Sequence, residues 1–391
     1  MKTQVGIIGA GPAGLILSHL LYLNGIDSVI VEKRSRETIE NTVRAGVLEA
    51  GTMQLMKEMG VGKRMMEEGF LHHGIEFQFK GKRYPINFSK LVGKQIMIYP
   101  QHDVLKDLIA ARLETGGKII FEAEVVNIKD IETNNPKIEY KINGERQQIV
   151  CDFIAGCDGF HGPSRKAIPK HVLKEIEYVY PYNWLGILTE APIANDVLIY
   201  SYHNRGFALI STRTPDIQRY YLQVDPEDEI SDWPDDRIWE ELHTRVDMEG
   251  WTLSDGPIIQ KDMVKMRSFV CESMQYGRLF IAGDAAHIVP PTGAKGLNLA
   301  AGDAKVLAEG LEHYYRTGSE DLLNRYSETR LRTIWRAQRF SRLMTDLLHH
   351  HKQKSEFEQK IQLSDLDYLS TATAGATMIA ENYTDISVTF S

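Results

Sequence analysis

Near the amino terminus, Gly9-Ala10-Gly11-Pro12-Ala13-Gly14 sets three glycines at GxGxxG spacing, directly after the apolar run 4–9 and at the start of a segment with helical periodicity, 12–24. That arrangement suits a pyrophosphate. The first glycine permits a tight turn, the second lets backbone approach the phosphates, and the third lets helix and strand pack closely. The helix start adds free N–H groups and a partial positive charge. Glu32 ends the next apolar run, 28–32, where a carboxylate can take ribose hydroxyls. A bound dinucleotide follows from these residues, but the choice between FAD and NAD does not.

Two more segments bear on that choice. One is Gly156-Cys157-Asp158-Gly159, continuing to Arg165; the other is Gly283-Asp284-Ala285-Ala286-His287, directly after the apolar run 278–282. An aspartate in a glycine turn at a strand end can accept hydrogen bonds from a ribityl chain. Asp-Gly pairs also form turns with no ligand. Farther on, Ser211 and Arg213 alternate along 208–213, so both side chains share one strand face. A guanidinium with a hydroxyl beside it can grip a carboxylate through three donors. An arginine on a strand is otherwise an ordinary surface residue.

The elements that must carry these groups follow from periodicity. A compact βαβ unit opens the chain, with Gly25 as the stop of its helix. Helices are expected over 46–69 and 101–115, then strands at 125–129, 138–142 and 149–155. After about Pro169 the texture becomes β-rich, with alternating segments at 184–189, 197–203, 207–212 and 220–224. Segment 278–282 returns to the buried-strand pattern, and from Ala294 to about Ile361 the chain reads as helix. The expectation is an α/β fold of three parts. They are a Rossmann-like dinucleotide-binding domain at 1–174, re-entered at about 268–300, a β-rich substrate domain at 175–288, and a loop plus helical region at 289–391. Pockets usually form where such lobes meet.

Composition narrows the function classes. At 391 residues, 43% hydrophobic and 25% charged, the chain has enough apolar content for two packed lobes. A net charge of −8 with no basic stripe argues against nucleic-acid binding. The apolar stretch 15–23 is too short to span a bilayer and no leader pattern precedes it, so neither a membrane nor secretion is expected. Cys151, Cys157 and Cys271 are odd in number and lack CxxC spacing, which suits a reducing, cytoplasmic setting. No metal is expected. Consecutive side chains of His349-His350-His351 point ~100° apart on a helix and cannot converge on one ion, so the trio reads as a solvated helix end.

Taken together, GxGxxG, the Asp158-Gly159 segment and Gly283-Asp284-Ala285-Ala286-His287 occur in the order and approximate spacing of the class A flavoprotein aromatic hydroxylases, which this sequence resembles across essentially its whole length. The most specific stretches are 154–165, 198–213, 219–224, 278–301 and 380–383. The resemblance implies non-covalent FAD, reduced by NADPH or NADH, and O2 added to give a flavin hydroperoxide that hydroxylates an electron-rich ring. It extends to the members that convert 4-hydroxybenzoate to 3,4-dihydroxybenzoate. On that basis Ser211, Arg213 and Tyr221 hold the substrate carboxylate. Tyr200 and Tyr383 contact its phenol, and His72 is the outlet of a proton relay, although His73 sits beside it. Such a relay is useful because a phenol with a pKa near ~10 is mostly neutral at pH 7. Pro291, whose carbonyl would lie near the reaction centre, and Thr292 meet the substrate from the loop 290–298 over the flavin, whose Gly296, Leu297 and Asn298 bind the cofactor. Arg44, Gln101 and Arg219 match flavin contacts, with Gly9, Gly11, Gly14, Glu32, Asp158 and Asp284 completing the set. Arg34, His161, Arg165 and Arg267 match groups that meet the nicotinamide nucleotide. A homodimer is also implied.

The sequence departs from the family in places. Ala13 stands where serine is common, removing one hydroxyl from the phosphate site, and Thr42 stands where arginine is common. Segment 33–38 lacks the aromatic found in many NADPH-strict members, though its two arginines could accept a 2′-phosphate. Three rival functions stay open: hydroxylation of a related benzoate, a flavin-binding protein without turnover, and a nicotinamide-dependent dehydrogenase.

Overall fold

The computed structural model describes residues 1–44 and 46–385. Its first sheet has six strands in the order Gln275–Tyr276, Leu279–Ile281, Phe153–Gly156, Val5–Ile8, Ser28–Val31, Lys118–Ile120. All neighbours are parallel except the first pair. Val5–Ile8, Ser28–Val31 and Phe153–Gly156 are buried along their whole length, as parallel strands covered on both faces require. Helix Pro12–Leu23 packs on this sheet with proline in its first turn and no side-chain cap, which leaves its first N–H groups free.

An eight-stranded sheet forms the second lobe, in the order His287–Ile288, Ile258–Cys271, Glu175–Glu190, Ile217–Val224, Ala208–Thr212, Leu198–Ser201, Gly74–Phe79, Lys82–Asn87. Its two faces obey the period of two. Leu185, Ile187, Ile199, Ala208, Ile210, Tyr220 and Leu222 pack with helix Asp235–Val246 in a core of their own. Trp184, Tyr200, Phe207 and Leu209 point the other way and join the main core shared with the first lobe. Ser211 and Arg213 continue the Leu209 face, so the strand directs them toward the first lobe.

Several expectations change here. Segment 46–69 is not all helix: Val47–Leu48 is a short strand before helices Ala50–Glu58 and Lys63–Glu68. The expected strand 149–155 is two strands, because Glu145–Val150 belongs to a separate antiparallel sheet and Phe153–Gly156 to the parallel one. Strands Gly74–Phe79 and Lys82–Asn87, inside the span assigned to the first lobe, are hydrogen-bonded into the second. Their edge position needed a partner from another part of the chain, Leu198–Ser201, which local periodicity does not reveal. Helix Asp235–Val246 and the 14-residue strand Ile258–Cys271 were not foreseen. Five helices close the described chain: Gly296–Thr317, Asp321–Asn324, Tyr326–Leu348, Glu356–Thr371 and Thr373–Thr384.

Candidate active site

Four loops leave the carboxyl ends of parallel strands at one edge of the first sheet, the usual place for a ligand in such sheets. They carry Gly9, Glu32, Asp158 and Asp284, following Val5–Ile8, Ser28–Val31, Phe153–Gly156 and Leu279–Ile281. These loops line a cavity of about 560 Å³, whose walls also include Gly11, Arg34, Arg44, Gln101, His161, Gly296 and Leu297. A side chain at Gly14 would collide with the Gly9 carbonyl, so this glycine serves the close packing of helix on strand. At Gly9, φ is +102°, a conformation that disfavours any other residue.

Glu32 is buried and spans the glycine loop. One carboxylate oxygen accepts from the Ala10 N–H at 2.7 Å, and the other accepts from Arg34 N and Nε, both at 2.9 Å. Arg34 therefore stands with Glu32 at the dinucleotide cavity. Asp158 forms its turn by accepting from Ser164 N at 2.8 Å, while its Oδ1 is buried with no protein partner. One oxygen thus shapes the turn, and the other has no protein partner. Burial raises the Asp158 carboxyl above its ordinary range. Asp284 is reachable from the cavity, yet surrounding protein raises its carboxyl too, against the pull of His287 and Arg44.

The Asp284 turn is held from below by Asp303, a fully buried carboxylate that sequence reasoning missed. It accepts from Gly283 N at 2.9 Å, lies 2.6 Å from His287 Nε2, and accepts from Arg330 Nε at 2.7 Å. Burial alone would raise its carboxyl, but His287 and Arg330 hold it below the usual value. Its only local signal is an aspartate on the otherwise apolar face of helix Gly296–Thr317.

Across the lobes, the buried Tyr200 and Tyr383 hydroxyls lie 2.6 Å apart, their rings edge-on at 83°. Burial raises both phenols. His72 is 4% exposed, its Nδ1 without a partner, and burial depresses it to about 4 despite Asp196. His73, by contrast, is exposed and bonded near Gln95 and Ser89. The structure thus separates the two neighbouring histidines by burial. Among the described residues no direct hydrogen bond joins His72 to Tyr383.

Arg213 is buried at 5% exposure. Its Nη1 donates to Ser211 Oγ at 2.7 Å and to the Thr212 carbonyl at 3.1 Å, while Nε has no partner. No carboxylate pairs with it among the described residues. A buried cation without a counter-charge is costly, and burial pulls this guanidinium below its ordinary value while Tyr221 pushes it back. The site calls for an anion.

Other expected site residues engage protein partners. Arg165 is buried, donating to Glu175, the Ala285 carbonyl and the Phe160 carbonyl at 2.6, 2.8 and 2.9 Å, so it clasps two loops together. His161 is exposed and Arg267 partly so, on the same side at Phe160. Arg219 is paired with Asp262 beside Tyr221 and does not line the cavity. Asn298 spends its amide on Glu49 N, Val47 O and Ala294 O, tying the helix start to a neighbouring strand. Thr292 is fully buried with its hydroxyl against Thr345 at 3.0 Å, and the Pro291 carbonyl accepts from Ala294 N at 2.9 Å. In the same loop Lys295 is buried, donating to Glu49 at 2.6 Å and to the Tyr383 carbonyl at 2.9 Å. This pair links the loop to the helix that carries Tyr383.

The expectation of a solvated helix end at His349 is corrected. His349 is 0% exposed, and burial depresses it to about 3. Aromatic rings from the second sheet close over it, which the histidine run itself could not indicate. Among the described residues no cluster suited to a metal is present.

A model of the FAD binding domain family matches residues 2–341. The chain belongs to the FAD-binding flavoprotein hydroxylases. The p-hydroxybenzoate hydroxylase of Acinetobacter baylyi is 48% identical over 385 residues, covering 98% of this chain and 95% of that protein. The 6-hydroxy-3-succinoylpyridine 3-monooxygenase of Pseudomonas putida is 24% identical, with 85% of each chain covered. Among solved structures, p-nitrophenol 4-monooxygenase PnpA from Pseudomonas putida DLL-E4 matches with a TM-score of 0.85 over 99% of this chain and 100% of that one; at 16% identity this shows the fold alone. As a flavoprotein hydroxylase the chain uses FAD, with NAD(P)H the co-substrate typical of the family. The glycine loop, Glu32 and the open Asp158 oxygen fit that cofactor. No helix among the described residues is long and apolar enough to cross a membrane.

Proposed function

We propose that the chain hydroxylates 4-hydroxybenzoate to 3,4-dihydroxybenzoate, consuming NAD(P)H and O2. The observation that carries this reading is the buried, counter-charge-free Arg213 with Ser211 on the same sheet face as the Tyr200–Tyr383 pair. Leu209 is the cross-strand neighbour of Tyr200, and Arg213 lies four residues farther along, so about 13 Å separates the two backbone positions. From these positions a guanidinium can take a carboxylate and a tyrosine a phenol at the opposite end of one ring. Tyr221, the neighbour of Leu209 on the next strand, adds a hydroxyl on the same face.

FAD, when bound, supplies the hydride acceptance and oxygen delivery that no side chain can. The chain's own residues bind the acid, orient the ring and exclude water. The tyrosine pair, joined by a short hydrogen bond of its own, offers the phenolic proton a way out, with His72 as the neutral acceptor toward solvent. Removing that proton makes the ring a stronger nucleophile. His161 and Arg267 are the groups we assign to the nicotinamide nucleotide.

A homodimer is part of the reading. Phe357, Ile361 and Tyr368 are exposed at 73, 46 and 55%, and their spacing puts them on one face of helix Glu356–Thr371. A second copy of the chain would cover this stripe. The free buried cysteines suit a cytoplasmic setting.

The test is to purify the protein and add 4-hydroxybenzoate, 4-aminobenzoate and dihydroxybenzoates in turn with NADPH or NADH. Nicotinamide oxidation is followed while the aromatic product is identified. The expected result is a yellow protein that forms 3,4-dihydroxybenzoate. A protein that binds no flavin, or that turns over only another benzoate, overturns the proposal.

A further inference from the structure

His349 belongs to none of the expected site residues, yet it joins the two walls of the proposed site. Its Nε2 is 2.6 Å from Trp184 Nε1. An indole nitrogen only donates, so Nε2 must be the unprotonated acceptor. Its Nδ1 is then the protonated atom, donating to the Thr345 carbonyl at 2.8 Å. Both ring nitrogens are used, and one neutral tautomer satisfies them. The low pKa of this buried imidazole is consistent with that state.

Two chains of contact leave the ring. One runs through aromatic packing: Phe207 stacks on both His349 and Trp184, at 4.5 and 5.1 Å between centroids. Trp184 in turn lies 5.0 Å from Tyr221, and Phe207 lies 6.2 Å from Tyr200. The other runs along the helix. Thr345 Oγ1 lies within hydrogen-bond distance of both the Ser341 carbonyl, at 2.7 Å, and the Thr292 hydroxyl, at 3.0 Å. The helix end at His349 therefore grips the turn Pro291–Gly293 on one side and the sheet behind Tyr200 and Tyr221 on the other.

We propose that His349 is a positioning residue for the hydroxylation, fixing the Trp184–Phe207 wall behind Tyr200 and Tyr221 relative to the loop that carries Thr292. The inference rests on the functional reading above. Its physical basis is that a buried indole N–H with no acceptor costs free energy, so Trp184 would reorient if the histidine were lost. The tyrosines packed on that wall would then lose their register with the substrate.

The test compares His349→Phe, which keeps a stacking ring but offers no acceptor, with His349→Gln, whose amide oxygen can replace Nε2. Both are assayed as FAD-loaded full-length protein. In His349→Phe the dissociation constant for 4-hydroxybenzoate should rise roughly tenfold, and the product formed per nicotinamide oxidised should fall. Nicotinamide oxidation itself should persist. His349→Gln should recover most of both. A cycle with Trp184→Phe adds a second measure. Once the indole donor is gone, replacing His349 by Phe should change the substrate affinity little. Wild-type affinity and yield in His349→Phe, equal damage in His349→Gln and His349→Phe, or additive effects in the cycle would each overturn the proposal. Wild-type protein that forms no hydroxylated benzoate would instead overturn the functional reading, and this inference with it.

Discussion

Tyr200 Oη and Tyr383 Oη lie 2.6 Å apart although 183 residues separate them in the chain. Only one of the two hydroxyl protons can occupy that bond, so the other must point to a further acceptor. The strand Leu198–Ser201 supplies one partner and the last described helix, Thr373–Thr384, supplies the other. A proton can therefore leave a ring held at Tyr200 by rotation of two hydroxyls.

Replacing Tyr200 with Phe removes the first of those hydroxyls and keeps the ring. The variant should still bind substrate and oxidise the nicotinamide, but oxygen should be diverted to hydrogen peroxide. Peroxide and product measured together check this. Wild-type yield at the wild-type rate would exclude Tyr200 from the relay.

Arg213→Ala removes the only buried cation that we assign to the substrate acid. Binding of 4-hydroxybenzoate should weaken by about 2–5 kcal/mol, the common loss for a desolvated charge partner. Arg213→Lys should recover part of it, because a point charge replaces a two-pronged donor. Titration of flavin absorbance with substrate reads both, and an unchanged dissociation constant refutes the clamp.

The depressed His72 sets a pH dependence with a definite sign. Its pKa falls from the usual 6.5 to about 4 in the folded chain, because burial disfavours the imidazolium more than Asp196 favours it, and His73 adds repulsion. Below pH 6.5 the unfolded chain therefore takes up a proton that the folded chain refuses. Stability should be complete above that pH and decline as pH falls toward 4, by at most about 3 kcal/mol from this residue. Denaturant titrations across that window should give a shallower slope for His72→Asn. Part of the slope should remain, since His349 is depressed in the same direction. An identical slope would show that His72 is not the buried titrating group.

Asp303→Asn should destabilise the fold and loosen the cofactor together. The amide cannot balance Arg330 and His287, and a buried pair that loses one member typically costs about 3–5 kcal/mol. The Gly283 N–H contact that orients the Asp284 turn should weaken as well. A lower Tm with weaker FAD retention is the expected pair of results. Reduced stability with unchanged FAD affinity would confine Asp303 to the fold.

The case of Asp303 shows where sequence reading stops. A buried acid on an apolar helix face is visible, but its three donors come from two other segments, and nothing in the spacing brings them together. Arg165 is the converse: the family resemblance assigns it to the nucleotide, whereas in the fold it donates to Phe160, Glu175 and Ala285, the last of them from a segment far along the chain. His72 and His73 differ by one position, and only the packing of strand Phe70–His72 decided which is buried.

Short-range order was therefore determined by the sequence itself. The βαβ opening, the glycine loop, the aspartate turns at strand ends and the shared face of Ser211 and Arg213 all follow from steric and periodic rules that act within a few residues. Tertiary structure alone decided the meeting of Tyr200 with Tyr383, the burial of His349, and the recruitment of Gly74–Phe79 into the second sheet. Those outcomes depend on hydrogen bonds and ring contacts between segments far apart in the chain, where the partner of each polar group is fixed by the packing of whole elements and not by its neighbours in sequence.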